Sequence, residues 1–336
     1  MAFADWPLSF GSINPEGWLI YMVPFLEHSH RLLATLVGLL VLAMFSWAYV
    51  NSGRRAVEVA GVVLLLAVIF GVFIAAGAER SDDDRKSVLI TVALAISILP
   101  VGWLAWSWRG RDWVLVEKLS ALALLMVTTQ AIFGGLRVTE ISNSFAVVHG
   151  CLAQAFFCLL ILIVMVSGSG WSKTGEQPSV AEMSGLRQLS AGLVFLVFIQ
   201  LILGASMRHF HRHGLADHGI LKTQEMWIPS FDEPIIAVMF FHKLTALSIL
   251  FLVVTISVQI GRRKAAGSGG AGRMIPLMTG LVSVQVLLGI SVIATGKNFW
   301  ITNVHVLNGL AILAVAFVIM VRSWRASSSE AALAKP

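Results

Sequence analysis

Long apolar runs separated by short polar segments dominate the amino-acid sequence. Nine of these runs are about twenty residues long, the length that a helix needs to cross the hydrocarbon core of a bilayer. They cover residues 26–50, 57–76, 88–107, 115–135, 146–166, 188–207, 236–260, 274–294 and 304–322. The pattern predicts an all-α polytopic membrane protein with about nine transmembrane helices.

The composition agrees with this fold class. Of the 336 residues, 57% are hydrophobic and 12% are charged, and the mean hydropathy is +0.84. The net charge of +6 does not indicate a nucleic-acid partner, because the basic residues lie in short loops between apolar runs. Cys151 and Cys158 lie within one apolar run, which excludes a disulfide framework and favours small core residues.

The charges in the loops predict the orientation of the chain. One set of loops is rich in lysine and arginine, while the opposite set includes the acidic run at 82–84. The positive-inside rule therefore predicts that the basic segments are cytoplasmic and that the N-terminal loop lies outside. The basic segments are 51–56, 108–114, 167–187, 261–273 and the C-terminal tail.

The sequence contains a tandem duplication. Three pairs of segments match: 30–36 with 242–247, 130–139 with 285–295, and 148–150 with 304–306. His30 and His149 are much further apart along the chain than their counterparts His242 and His305. Because the extra length is enough for two spanning helices, we interpret 57–107 as an inserted helical hairpin.

The duplication predicts the organisation of the chain. An outer loop segment precedes a first bundle that includes the hairpin, and a cytoplasmic linker joins this to a second bundle and a cytoplasmic tail. The bounds are 1–25, 26–167, 168–187, 188–322 and 323–336. Residues 1–25 lack the features of a signal peptide. Since the outer loop of the second half follows a helix and that of the first half does not, we expect a further helix upstream of Met1.

Four histidines near the outer ends of matched helices are candidate ligands: His30, His149, His242 and His305. A lone histidine in a membrane helix more often forms an interhelical hydrogen bond than binds a metal. Four histidines at matched repeat positions instead favour a role as metal ligands. Two imidazoles in each half suit heme iron with two axial ligands. Zinc is a weaker alternative, because no cysteine or carboxylate accompanies the second pair.

Glu27 and His28 lie just before His30. Glu27 shares a helix face with His30 and can pair with Arg31 four residues later. The second-half counterpart of Glu27 is Met239, so the carboxylate belongs to one half only, and we expect the halves to differ in chemistry. His28 lies on nearly the opposite face from His30, and structural and functional roles are equally open for it.

Basic residues recur beside the histidines. Arg31 and Lys243 follow matched histidines at the same offset, and Arg137 and Lys297 lie at the outer ends of equivalent helices. Snorkelling to the membrane surface explains any one of these side chains. The repeated pair Arg31 and Lys243 instead favours binding of an anionic group.

One outer loop carries a cluster of histidines, namely His209, His211, His213 and His218. We interpret it as a solvated polar loop, with weak metal binding as the alternative.

In these motifs the sequence resembles the heme A synthase family. That family has two fused four-helix bundles, with a Glu-x-x-His motif opening the second helix and single histidines opening the fourth, sixth and eighth. The matching residues here are Glu27, His30, His149, His242 and His305. The segments around Gln130 and Gln285 and the loop at 5–11 are also similar. Three departures are the family's first helix, which is absent, the inserted hairpin, and the lack of an outer-loop cysteine pair.

The resemblance implies oxidation of the C8 methyl group of heme O to a formyl group, by successive hydroxylations with oxygen from water, to supply heme A for cytochrome oxidase. It implies that Glu27 handles protons or positions the substrate. The implied binding residues of the substrate heme are His30, His149 and Arg31, and those of an electron-relaying heme b are His242, His305 and Lys243. In each set only the two histidines are the implied iron ligands.

The implied setting is the bacterial inner membrane, with the histidine sites toward the outer face. Heme O synthase and an electron-transfer partner or quinone are the expected partners. The main alternative is a non-catalytic diheme electron-transfer protein of the quinol-linked cytochrome b type, which uses the same histidines. A repeat-built transporter is disfavoured because discontinuous helices are lacking. A heme farnesylation enzyme is disfavoured because its magnesium sites need helical aspartates, whereas the aspartates at 82–84 form one loop cluster.

Overall fold

The computed structural model is helical through most of the chain that it describes, which is residues 3, 6, 9–51, 56–78, 83–109, 114–168, 171, 180–210, 219–262 and 274–333. The helices in these residues are α1 (Met22–Asn51), α2 (Ala56–Ala78), α3 (Asp83–Ser107), α4 (Leu115–Thr139), α5 (Asn143–Ser167), α6 (Val180–Phe210), α7 (Pro234–Arg262), α8 (Ile275–Ala294) and α9 (Phe299–Leu333). Within the same ranges, extended segments pair only at two isolated bridges. The predicted all-α fold class is therefore confirmed.

Eight of the described helices, all except α3, are long and apolar enough to cross a membrane. The helix α3 runs through the predicted span 88–107, but several of its side chains fall outside the described residues. Large apolar side chains point outward from the spanning helices, such as Phe251, which is 75% exposed, and Val164, which is 72% exposed. Because such surface is unfavourable in water and suited to lipid tails, the chain is a multi-pass membrane protein.

Several helices are longer than the predicted spans. The helix α6 begins at Val180 rather than at 188, inside the predicted linker, and α9 continues to Leu333, through most of the predicted tail. An apolar run marks only the part of a helix that lies in hydrocarbon. Polar residues on either side can continue the helix, but they do not extend the apolar run that the prediction uses.

The chain divides into two compact units, Met1–Val166 and Ser167–Pro336. In the second unit, α6 packs against α7 and α9, and α8 packs against the same two helices. The four helices therefore form a closed ring, as in a four-helix bundle.

The first unit has a buried apolar cluster to which α1, α2, α4 and α5 all contribute, including Phe45, Leu66, Leu124 and Phe156. The helix α2 also packs on α3. An ion pair of 2.9 Å between Lys86 and Glu140 joins the start of α3 to the end of α4. The predicted hairpin thus lies against α1 and α4 rather than apart from them.

The loop before α1, which the charge pattern predicts to lie outside and which is called the outer loop of the first unit, contains a tight two-residue turn. Ser9 and Ser12 exchange backbone hydrogen bonds of 3.0 and 3.1 Å. The two residues between them, Phe10 and Gly11, have positive φ values of 52° and 71°. This is the geometry of a type I′ turn.

The second unit repeats this turn with a different sequence. Thr223 and Met226 exchange hydrogen bonds of 3.0 and 3.1 Å around Gln224 and Glu225, whose φ values are 53° and 62°. Neither central residue is glycine, so both adopt the left-handed region at a steric cost. The duplication therefore extends to the backbone of the outer loops.

Replacing Gln224 by Asn and Glu225 by Gly should stabilise the second outer loop by about 1 kcal/mol, because this pair favours the type I′ turn. This stabilisation should appear as slower cleavage of the loop by a protease and as a higher Tm in detergent. Glu233→Gly is the control, since Glu233 lies in the same loop without a positive φ and should gain nothing. Equal or faster cleavage of the double variant would contradict the prediction.

Candidate functional site

The four candidate histidines occupy matched positions in their helices. His30 and His242 are each the ninth residue of their helices, α1 and α7. His149 and His305 are each the seventh residue, of α5 and α9. All four therefore lie about two turns inside a helix, beyond the ends where water satisfies polar groups.

The first unit brings His30 and His149 together. Their ring centroids are 6.3 Å apart and the rings are nearly perpendicular, at 86°. Glu27, Arg31 and Arg137 act electrostatically on the His30 ring. Two imidazoles from different helices thus approach each other in a charged part of an otherwise apolar bundle.

Gln130 on α4 holds His149 through two hydrogen bonds. Its side-chain Nε2 donates to the backbone carbonyl of His149 at 2.8 Å, and its backbone carbonyl lies 3.1 Å from Nδ1 of that ring. A carbonyl oxygen can only accept, so Nδ1 must carry the hydrogen. In the neutral ring the lone pair then lies on Nε2, which is how a histidine is prepared to bind a metal.

The second unit pairs each histidine with a glutamine as well. Nε2 of Gln200 lies 3.2 Å from Nε2 of His242, and Nε2 of Gln285 lies 3.3 Å from Nε2 of His305. Here the side-chain amide faces Nε2 of the ring. The backbone of the same glutamine also acts on each ring, although the buried Nδ1 atoms have no hydrogen bond of ordinary length among the residues that the structure describes.

A glycine lies four residues after each of these glutamines, on the same helix face. A Cβ atom at Gly134 would lie 3.0 Å from Cε1 of His149. The corresponding distances are 3.4 Å from Gly204 to His242 and from Gly289 to His305. Each ring therefore lies against the backbone of the facing helix. A Cβ atom would crowd the ring at Gly134 and would come into van der Waals contact with it at Gly204 and Gly289.

The sequence contains this Gln-x-x-x-Gly spacing four times, and three of the copies, at 130–134, 200–204 and 285–289, face a histidine. The fourth, at 188–192, lies earlier on α6. The sequence indicated the first and third copies as repeats, but it did not single out Gln200. The signal for Gln200 is the spacing together with its place near the C-terminal end of the helix that precedes a histidine.

Glu27 and Arg31 form the predicted ion pair, with 2.9 Å between Oε1 and NH2. The guanidinium also lies 3.4 Å from the backbone carbonyl of Phe3 and over the Phe3 ring, 5.5 Å from its centroid. Both charged side chains are largely buried, at 18% and 11% exposed. Met239 takes the place of Glu27 in the second unit and is buried.

Lys243, the counterpart of Arg31, also contacts its outer loop. Its Nζ atom donates to the backbone carbonyls of Gly219 at 2.8 Å and Lys222 at 2.6 Å. Each unit thus uses the cation that follows its histidine to bind loop carbonyls. Binding of an anionic group by this pair stays a prediction.

His28 belongs to the outer loop contacts of the first unit. It is buried, its Nδ1 lies 3.0 Å from Oγ of Ser9, and its ring packs on Trp18 with centroids 4.6 Å apart. Ser9 is the first residue of the type I′ turn. Of the two roles left open for His28, the contacts support anchoring the loop.

The remaining candidates lie apart from the histidine pairs or beyond the described chain. His209 is in the last turn of α6, whereas His211, His213 and His218 are outside the described residues, as is Asp82. Among the residues that are described, no group of three or more His, Cys, Asp or Glu side chains could hold a metal ion.

A family-wide comparison matches residues 89–317 to the cytochrome oxidase assembly protein family, COX15-CtaA. The match covers more than half of the chain. The protein belongs to this family. The matched residues include His149, His242 and His305, and the three Gln-x-x-x-Gly segments that face them. The match begins inside α3, after Glu27 and His30.

Curated relatives carry the name Heme A synthase. The relative from Brucella ovis is 29% identical over 180 residues, which are 51% of this chain and 48% of the relative, and that from Brucella abortus strain 2308 matches equally. The relative from Bartonella tribocorum is 24% identical over 345 residues, covering 97% of this chain and 84% of the relative. The chain thus spans about half the length of the Brucella proteins.

For this family member, Gly134→Ala should destabilise the first unit by about 1–3 kcal/mol, because the added methyl overpacks the His149 ring. Gly150→Ala is the matched control, since it lies beside His149 with open space around its Cβ position. Thermal unfolding in detergent should show a lower Tm for Gly134→Ala and an equal or higher Tm for Gly150→Ala. Equal Tm values for both variants would contradict the contact.

Proposed function

We propose that the protein is a heme A synthase. The proposed reaction converts the C8 methyl group of heme O to a formyl group by two successive hydroxylations. In total the methyl group takes up one oxygen atom from water and releases four electrons and four protons, and the second hydroxylation product loses water. The observation that carries the proposal is a duplicated bundle with two histidine pairs, of which only the first has a neighbouring carboxylate among the residues that the structure describes.

The first unit is the proposed substrate site, with His30 and His149 as ligands of the heme O iron. The hydrogen bond from Nδ1 of His149 to a backbone carbonyl supports this role, because it leaves the Nε2 lone pair for iron. The ring spacing of 6.3 Å supports it too, since the two imidazoles approach each other from separate helices. Arg31 and Arg137 add positive charge at this end of the bundle, where heme propionates carry negative charge.

Glu27 is the proposed proton acceptor for the oxidation. Each hydroxylation releases protons inside an apolar bundle, so a base near the reacting methyl group is needed. Glu27 is three residues before His30, is largely buried and pairs with Arg31 at 2.9 Å. The second unit has the apolar Met239 at this position, which supports assigning chemistry to the first unit alone.

The second unit is the proposed site of heme b, whose iron His242 and His305 would hold. The glycines Gly204 and Gly289 seat both rings against the facing helices. Two neutral imidazoles suit an iron that changes oxidation state without binding substrate. A bound heme b would supply electron transfer from the substrate site to an external acceptor, and a quinone in the membrane is the proposed class of acceptor.

Heme O is the proposed substrate, and heme O synthase is its proposed source. The proposed location is the bacterial inner membrane, with the histidine ends of the helices toward the outer face and the C-terminus in the cytoplasm.

Cells that make heme O and express this protein should accumulate heme A or hydroxylated heme O. Extraction of the hemes and separation by chromatography measures this directly. A His149→Ala variant is the control and should leave heme O unchanged, because one ligand of the substrate is lost. If the wild-type protein binds heme but leaves heme O unconverted, it is a diheme electron carrier and not a synthase.

Glu27→Gln should lower the yield of heme A by about a hundredfold or more, the usual contribution of a general base, while heme b stays bound in the second unit. Glu140→Gln is the matched control, because Glu140 pairs with Lys86 on α3 and not with a cation beside His30. The extracted hemes and the reduced spectrum of the purified proteins are to be compared. Normal heme A formation by Glu27→Gln would remove Glu27 from the mechanism.

A further inference from the structure

Asn308 links the backbone of α8 to the imidazole of His305. Its Nδ2 atom donates to the backbone carbonyl of Leu281 at 2.9 Å and to Oε1 of Gln285 at 2.7 Å. Nε2 of Gln285 lies 3.3 Å from Nε2 of His305. Two amide side chains thus connect a helix carbonyl to the ring.

The carbonyl of Leu281 fixes the direction of every hydrogen bond in this series. Amide orientations are ordinarily ambiguous, but a backbone carbonyl can only accept, so Asn308 must present its NH2 group to it. The same NH2 group faces Gln285, which therefore presents its oxygen to Asn308 and its own NH2 group to His305. Because that NH2 group can only donate, Nε2 of His305 must accept with its lone pair.

Gly309 leaves room for the Gln285 amide beside α9. A Cβ atom at this position would lie 3.4 Å from Nε2 of Gln285 and 3.3 Å from Cδ2 of Leu201. The amide is therefore held on three sides, by Asn308, His305 and the bare backbone of Gly309. Its orientation follows from the packing as well as from the hydrogen bonds.

The other two glutamines lack this support. Asn308 is three residues after His305, and the residue three positions after His149 is Leu152. In the first unit Gln130 donates to the backbone of His149 instead. The residue at that offset from His242 is Thr245. Oε1 of Gln200 is buried without a hydrogen bond in the described chain, so its amide orientation is not fixed.

We infer that Asn308 is a positioning residue for the second heme site. Through Gln285 it keeps the neutral ring of His305 in the form whose lone pair is on Nε2, and iron would bind that lone pair by displacing the Gln285 NH2 group. The inference rests on the proposed function, because it takes His305 as an iron ligand. Without Asn308, the Gln285 amide can turn its oxygen toward Nε2 and stabilise the ring form with hydrogen on that atom. That form must convert before iron binds.

The test is a heme titration of the full-length protein carrying His149→Ala, in which only the second pair can supply two ligands. Adding Asn308→Leu should weaken binding of protoheme by about three- to tenfold, the contribution of one hydrogen bond. Thr245→Leu is the matched control and should leave the affinity unchanged. In a Gln285→Leu background, Asn308→Leu should have no further effect, because Asn308 acts through Gln285.

A second readout measures the ring form itself. Solid-state NMR of the heme-free protein with ¹⁵N-labelled histidine should place the His305 hydrogen on Nδ1, and Asn308→Leu should move part of it to Nε2. The His305 signals are those lost in His305→Asn.

Unchanged affinity and unchanged ¹⁵N shifts in Asn308→Leu would overturn the role of Asn308 but leave the proposed function standing. So would an effect of equal size in the Gln285→Leu background, which indicates a purely structural role. Failure of the His149→Ala protein with Asn308 intact to bind protoheme with a six-coordinate spectrum would overturn the assignment of the second heme site and this inference with it.

Discussion

An imidazole carried inside a membrane-spanning helix has no water to hydrogen bond with, so the facing helix has to supply its partner. In this protein the facing helix does so with a glutamine and a glycine one turn apart for His149, His242 and His305. The glycine lets the ring approach the backbone, and the glutamine provides the hydrogen bond, as Gly134 and Gln130 do for His149. Because both requirements fall on one helix face, they fix the distance and the rotation between the two helices. The bundles are organised around these contacts.

The same contact has diverged between the two units. The backbone of the facing glutamine acts on the ring in both units, but the side chains differ. The side chain of Gln130 donates to the backbone of His149, whereas that of Gln285 approaches Nε2 of the His305 ring. The carboxylate of Glu27 has no counterpart in the second unit, and the amide of Asn308 has none in the first. Each unit thus keeps the histidine framework and adds one polar group of its own. Under the proposed function, the first addition serves chemistry on the substrate and the second serves a bound cofactor.

The helices and the matched positions of the histidines could be predicted from the sequence, because both depend on local properties of the chain. Apolar length predicts a spanning helix, and the duplication aligns His30 with His242 regardless of the loops between them. It also separated His28 from His30, since two positions on one helix point in different directions.

Contacts between helices and loops could not be predicted from the sequence. Arg31 and Lys243 were expected to bind an anionic group, and the loop carbonyls that they contact are positioned by the outer-loop backbone. In the second unit that backbone includes a left-handed turn at Gln224 and Glu225, a pair of residue types that does not indicate one. The role of Gln200 likewise depends on the register of α6 against α7, which hydropathy does not encode. The helix ends at Val180 and Leu333 lie in polar sequence, where an apolar pattern gives no information.

The central claim is that each unit holds one heme between its own pair of histidines, and the heme content of purified protein tests it most directly. The account predicts two hemes per chain when heme is supplied in excess, one after His149→Ala, one after His305→Ala, and none when both substitutions are combined. The single variants should retain different hemes, with heme b remaining after His149→Ala. Two hemes in either single variant, or loss of both hemes from one substitution, would contradict two independent sites.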